Sequence, residues 1–149
     1  MADEKSDKDL DRELIELLNE LRVALPGVQV LFAFMLTVPF SQRFSVITQT
    51  QKWVFFAAFM STAAASALLI APTAYHRLRW RSRDKERMLN TSNTLAIWGT
   101  GFLALAITLV VYVITDVLFG GWWTPAATAV TGAAFVGLWY LLPLSGKED

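Results

Sequence analysis

Apolar positions in this chain are gathered into long unbroken runs rather than alternating with polar ones. Residues 23–40, 53–75 and 123–144 carry no charged side chain, and residues 94–119 carry one, Asp116. A helix needs about 20 predominantly apolar residues to cross the roughly 30 Å hydrocarbon layer of a bilayer. The pattern therefore predicts an all-α integral membrane protein with four transmembrane helices over these four runs. A transmembrane β-barrel would show short alternating segments instead. A cleaved signal peptide is the competing reading of the first run, but 22 mostly polar residues precede it and no small-residue cleavage site follows.

Upstream of the first run the period changes. Leu10, Leu14, Leu17, Leu18, Leu21 and Leu25 recur at three- and four-residue steps, with Asp9, Glu13, Glu16 and Glu20 on the other side. That spacing predicts an N-terminal amphipathic cytoplasmic helix over about residues 9–25. Pro26-Gly27 follows, and proline inside a helix removes a donor and kinks it, so this helix is expected to stop or bend there. The expected organisation is an acidic N-terminal segment (1–22), a four-helix transmembrane domain (23–144) and a short polar tail (145–149).

Composition agrees. The 149 residues are 54% hydrophobic and 17% charged, with no cysteine and a formal charge of zero, against about 25% charged in a soluble domain. Neutrality speaks against a nucleic-acid binder, and the lack of cysteine removes disulfides and thiol chemistry. The zero is a sum of opposed patches. Residues 1–22 hold eight acids against four bases, and residues 77–87 hold six bases against two acids. Basic residues favour cytoplasmic loops, and the first outer loop holds only Arg43 and Lys52. The expected placement is the cell (inner or plasma) membrane with both termini cytoplasmic, the acidic N-terminal helix lying along the basic loop. Trp53, Trp122 and Trp123 would mark the outer interface.

Helices in lipid associate through close backbone approach. Small residues recur at four-residue spacing in the second run (Ala57-Ser61-Ala65, Ala58-Thr62-Ser66, Ala63-Ala67-Ala71) and in the fourth (Ala129-Ala133-Gly137, Thr128-Gly132). These two helices are the expected close-packed centre.

Candidate chemistry is sparse. Asp116 is the one acid inside a span, and such residues are functional candidates by default. It lies near the outer end, at a helix C-terminus that disfavours a negative charge. Three readings stand: an ion pair with Arg43 or Lys52, proton or cation coupling, and an acid that reaches water. His76, Arg77, Arg79 and Arg81 form an inner-interface rim suited to hydrogen bonding or to lipid headgroups. Gln29, Thr37, Ser61, Thr62 and Ser66 are the candidate lining of a pore at a subunit interface. One histidine without a cluster of acids offers no metal site, no cofactor motif is present, and no set of residues suits catalysis, so an enzyme is not expected.

Several stretches resemble a small bacterial family of four-span membrane proteins of unknown function. They are Glu20-Leu21-Arg22-Val23-Ala24, then Gln29-Val30-Leu31-Phe32-Ala33-Phe34 with Thr37-Val38-Pro39-Phe40 and Arg43-Phe44, and Leu69-Ile70-Ala71-Pro72 through Tyr75-His76-Arg77. The likeness covers about residues 10 to 144. Members of that family are often labelled sodium:proton antiporter, yet antiporters hold acids near midplane in discontinuous helices. The resemblance thus implies fold and location and no activity. The expected function is a structural or accessory membrane protein that contacts lipid and acts through a homo-oligomer or a membrane-protein partner. The alternative is an ion channel or a proton- or cation-coupled transporter formed by an oligomer, and a lipid-handling role at the basic rim is a third reading.

Overall fold

A computed structural model of the chain describes residues 7–78 and 85–145. Among them every regular element is helical: α1 (Asp7–Thr37), α2 (Gln49–Leu78), α3 (Lys85–Leu118) and α4 (Trp123–Val136). Two 3-10 turns, Val38–Phe40 and Gln42–Ser45, lie between α1 and α2. Four helical stretches, Lys8–Phe40, Gln49–Arg77, Glu86–Leu118 and Trp123–Ser145, are long and apolar enough to cross a membrane.

α1 runs as one helix through Pro26, so of the two outcomes expected there the stop does not occur, and no break separates residues 7–22 from the first apolar run. Proline costs the helix one hydrogen bond, and burial on both sides of it offsets that loss. Leu14, Leu21, Val28 and Met35 are all buried, a strict seven-residue series that keeps one seam facing its neighbours. Of the other leucines in the expected stripe, Leu10 is buried, and Leu17, Leu18 and Leu25 are half-buried.

The same period governs α2 and α3. In α2 the buried positions are Gln51, Phe55, Ala58, Thr62, Ala65, Leu69 and Pro72, at alternating steps of four and three, with Ser61 beside them. In α3 they include Ser92, Gly99, Ala106 and Val113, each seven apart. The α1 seam is built of large side chains, and Ala58, Thr62 and Ala65 of α2 with Ser92, Gly99 and Ala106 of α3 are small enough to let helix backbones approach closely.

The described residues pack as two compact units. One takes residues up to Phe34 together with Thr62–Phe102, the other Met35–Ser61 together with the residues from Leu103. In the first unit a β-carbon placed on Gly99 would lie 2.7 Å from Cγ and Cδ2 of Leu69 and 3.3 Å from Cβ of Leu68. Leu69 is fully buried, so α2 and α3 touch here at a distance only glycine permits. Ser92, also fully buried, has no hydrogen-bond partner for its hydroxyl. An unmet buried donor costs about 1–3 kcal/mol. Ser92→Ala should therefore raise the midpoint of thermal unfolding in detergent, and a fall would show that the hydroxyl holds a partner.

In the second unit Phe44 meets Phe55 edge-on, with ring centroids 5.3 Å apart. A β-carbon on Gly132 of α4 would stand 3.6 Å from Thr108 Cγ2 of α3. Beyond this contact α4 departs from the expected centre of packing. Its one buried residue is Thr124, and Ala129 and Ala133 are exposed. The small-residue rule found a seam in α2 and an outward face in α4. α4 continues into a π-helical turn over Gly137–Leu141 and a last helical turn Leu142–Ser145. Pro143 explains the wide turn, because a tight one would press its ring on the carbonyl four residues back.

Candidate functional site

The one acid expected inside a span sits where three helix ends meet. Asp116 lies in the last turn of α3, and Gly120 and Gly121 follow it with φ of 61° and 59°. Residues with a β-carbon pay about 1–2 kcal/mol for that conformation. The reversal they make brings α4 back against the end of α3. Gly120 N–H donates to Thr115 O at 3.1 Å, as does Phe119 N–H at 2.9 Å, so two donors of the turn close the helix on one carbonyl.

Both carboxylate oxygens of Asp116 are engaged. Thr124 Oγ1, in the first turn of α4, donates to Oδ1 at 3.1 Å. Gln51 Nε2, in the first turn of α2, donates to Oδ2 at 2.6 Å. Gln51 is 8% and Thr124 3% exposed. The orientation of the Gln51 amide follows from its other bond, in which Oε1 accepts Thr48 N–H at 2.8 Å, while Thr48 Oγ1 accepts Gln51 N–H at 3.2 Å. This is a Thr-x-x-Gln capping box, and its glutamine passes the spare donor on to the carboxylate.

The arrangement resolves an electrostatic difficulty. At the C-terminus of α3 a negative charge faces the negative end of the helix dipole. The N-termini of α2 and α4 supply two positive ends and two hydrogen-bond donors to the same side chain. Hydrogen bonds to a charged group contribute about 1.5–3 kcal/mol each, so Asp116 acts as a staple between helix ends.

The other sequence candidates fall elsewhere. Asp116 makes no ion pair with Arg43 or Lys52, and an i,i+4 pair, Arg12–Glu16 at 3.0 Å, lies on the surface of α1. In place of the expected tie to Arg43, the carboxylate's partners are the neutral side chains of Gln51 and Thr124. Gln29 and Thr37 are exposed, Ser61 and Thr62 buried, and Ser66 half-buried. Ser61 and Ser66 donate to carbonyls of their own helix, Ala57 O at 2.8 Å and Thr62 O at 3.0 Å. Their hydroxyls are spent on the backbone.

His76 is half-buried and Arg77 exposed at the end of α2. Arg79 and Arg81 lie outside the described residues, as does most of the basic segment expected to meet α1. In the first unit α1 places Glu13, Glu16 and Glu20 along a groove whose opposite wall holds Glu86, Asn90 and Asn93 of α3. No cluster of three or more metal-binding side chains occurs among the described residues.

Sequence reasoning missed Gln51 and Thr124. The signal for Gln51 was present as Thr48-x-x-Gln51, just ahead of the second apolar run. Thr124 was hidden between the tryptophan pair and Pro125, at the very start of the fourth apolar run, where nothing marked it as a partner for Asp116.

The chain belongs to a family of unknown function, DUF6328, whose profile covers residues 3–143. No curated protein and no solved structure matches it. The match carries no activity, and the antiporter label gains no support from it.

Proposed function

We propose that the protein is a multi-pass membrane protein that acts as a structural or accessory component by associating with copies of itself through α4, without enzymatic or transport chemistry. The observation that carries this reading is the outward face of α4. Ala129, Ala133 and the half-buried Gly137 lie at four-residue spacing on a helix that buries only Thr124. Small-xxx-small faces of this kind let two helices approach backbone to backbone in lipid. The engagement of Asp116 supports the same reading, since a carboxylate with both oxygens hydrogen-bonded is poorly placed to exchange ions. In this reading the chain sits in the cell membrane, with the basic segment and both termini cytoplasmic by the bias of Lys and Arg.

The chain has no native cysteine, so single labelled cysteines report association directly. Reconstituted in liposomes, wild-type chains should show energy transfer that exceeds random collision and declines on lipid dilution. Ala133→Leu should weaken association about tenfold, the equivalent of 1.4 kcal/mol. Proton or sodium flux should equal that of empty vesicles for wild type and for Asp116→Asn. Collision-level transfer in the wild type would overturn self-association. Flux abolished by Asp116→Asn would replace this reading by the ion-coupled oligomer.

A further inference from the structure

We infer that the second unit holds a specific site for an anionic phospholipid, with one acyl chain in a groove near the α1–α2 turns and the headgroup phosphate on Arg43. The inference rests on the membrane reading above and goes beyond it by assigning a ligand class and residues.

The groove has a volume of about 210 Å³, and its walls are almost wholly apolar. Phe44, Phe55, Val113, Ile114 and Val117 form them. The edge-on packing of Phe44 against Phe55 fixes one wall. Polar groups enter at one place, where Ser41 and Arg43 line the groove. Ser41 Oγ already donates to Val38 O at 2.7 Å, which leaves Arg43 as the recognition group.

The charge balance of the unit makes its ligand an anion. Its described residues contain Arg43, Lys52 and Asp116 as their only charged side chains. Asp116 is engaged by Gln51 and Thr124, and neither cation has an acid within ion-pair distance among the described residues. A guanidinium offers a planar fork that matches phosphate oxygens. An apolar slot with one guanidinium at its edge has the polarity of a phospholipid at the level where chain meets headgroup. A wholly apolar ligand would leave Arg43 unmet, and a free phosphate would leave the slot empty.

The test uses the full chain purified in detergent. Retention of phosphatidylglycerol, phosphatidylcholine and oleate is compared by native mass spectrometry, with circular dichroism and gel filtration as controls for folding. Wild type should retain phosphatidylglycerol over phosphatidylcholine. Arg43→Gln should lower phosphatidylglycerol retention about tenfold, the scale of one charge-assisted contact. Arg43→Lys should keep part of it, and Lys52→Gln should leave it unchanged. Val117→Trp, which fills the groove, should reduce both phospholipids. Equal retention of the two phospholipids, a preference for oleate, or Arg43→Gln behaving as wild type would each overturn the site. Alkaline extraction of membranes separates the two readings. A chain released by carbonate defeats the membrane assignment, whereas an embedded chain with Arg43-independent retention defeats the lipid site alone.

Discussion

Asp116→Ala is expected to be among the most destabilising single changes in the chain, lowering stability by about 2–6 kcal/mol. The estimate adds the two donors it strands, each worth about 1–3 kcal/mol when buried and unmet. Gln51 and Thr124 are both buried, so water cannot readily replace the carboxylate. Thermal or denaturant unfolding in detergent measures the effect, and a loss under 1 kcal/mol would show that the cluster is not a staple. The loss should follow the geometry. Asp116→Asn keeps an oxygen for Thr124 but turns an amide donor toward the Gln51 donor. Gln51 cannot flip to accommodate it without giving up Thr48 N–H, so the asparagine should fall between wild type and alanine. In the double variant Asp116→Ala with Gln51→Leu the losses should be less than additive, because one unmet donor has been removed with its partner.

Gly99 is the second sensitive point. Alanine there gains about 1 kcal/mol in helix propensity, which makes a loss of stability diagnostic of contact. The β-carbon at 2.7 Å from Leu69 must push α2 and α3 apart, and overpacking of this kind costs about 1–3 kcal/mol. Gly99→Ala should therefore be net destabilising by about 1 kcal/mol. Gly99→Leu should reach the upper end of that range or pass it. Adding Leu69→Ala should recover part of the loss, since it vacates the volume the new side chain needs. Recovery would place the cost in this contact, and unchanged stability of Gly99→Leu would show that the helices are not in close register.

The contrast between the two points explains what could be read in advance. The four long helices were legible because the absence of charge over residues 23–40, 53–75 and 123–144 is a one-dimensional signal. The seams were legible in principle, since Leu14, Leu21, Val28 and Met35 stand seven apart. The four-residue rule blurred them by scoring every small residue alike. It treated Ala133 and Ala65 as equals, although one is exposed and the other fully buried. Which face of a uniformly apolar helix is buried depends on its neighbours, and α4 carries no polar side to exclude the wrong face. The partners of Asp116 were hidden for another reason. Electrostatics pointed to a cation, and the cations expected on the same side as Asp116 were Arg43 and Lys52. A cap that already binds its own backbone and still has a donor to spare is visible only when the helix ends come together.

The two bonds to that carboxylate also differ in reach along the chain. Thr124 is eight residues from Asp116, and Gln51 is sixty-five away. Contacts close in sequence form early, and distant ones wait for the chain between them to be ordered. The α3–α4 reversal can therefore orient the carboxylate while α2 is still searching for its place, and Gln51 arrives at an acceptor already aimed. On loop-closure grounds assembly of this end of the protein would have a direction in time, with the glycine turn setting the latch and the capping glutamine closing it.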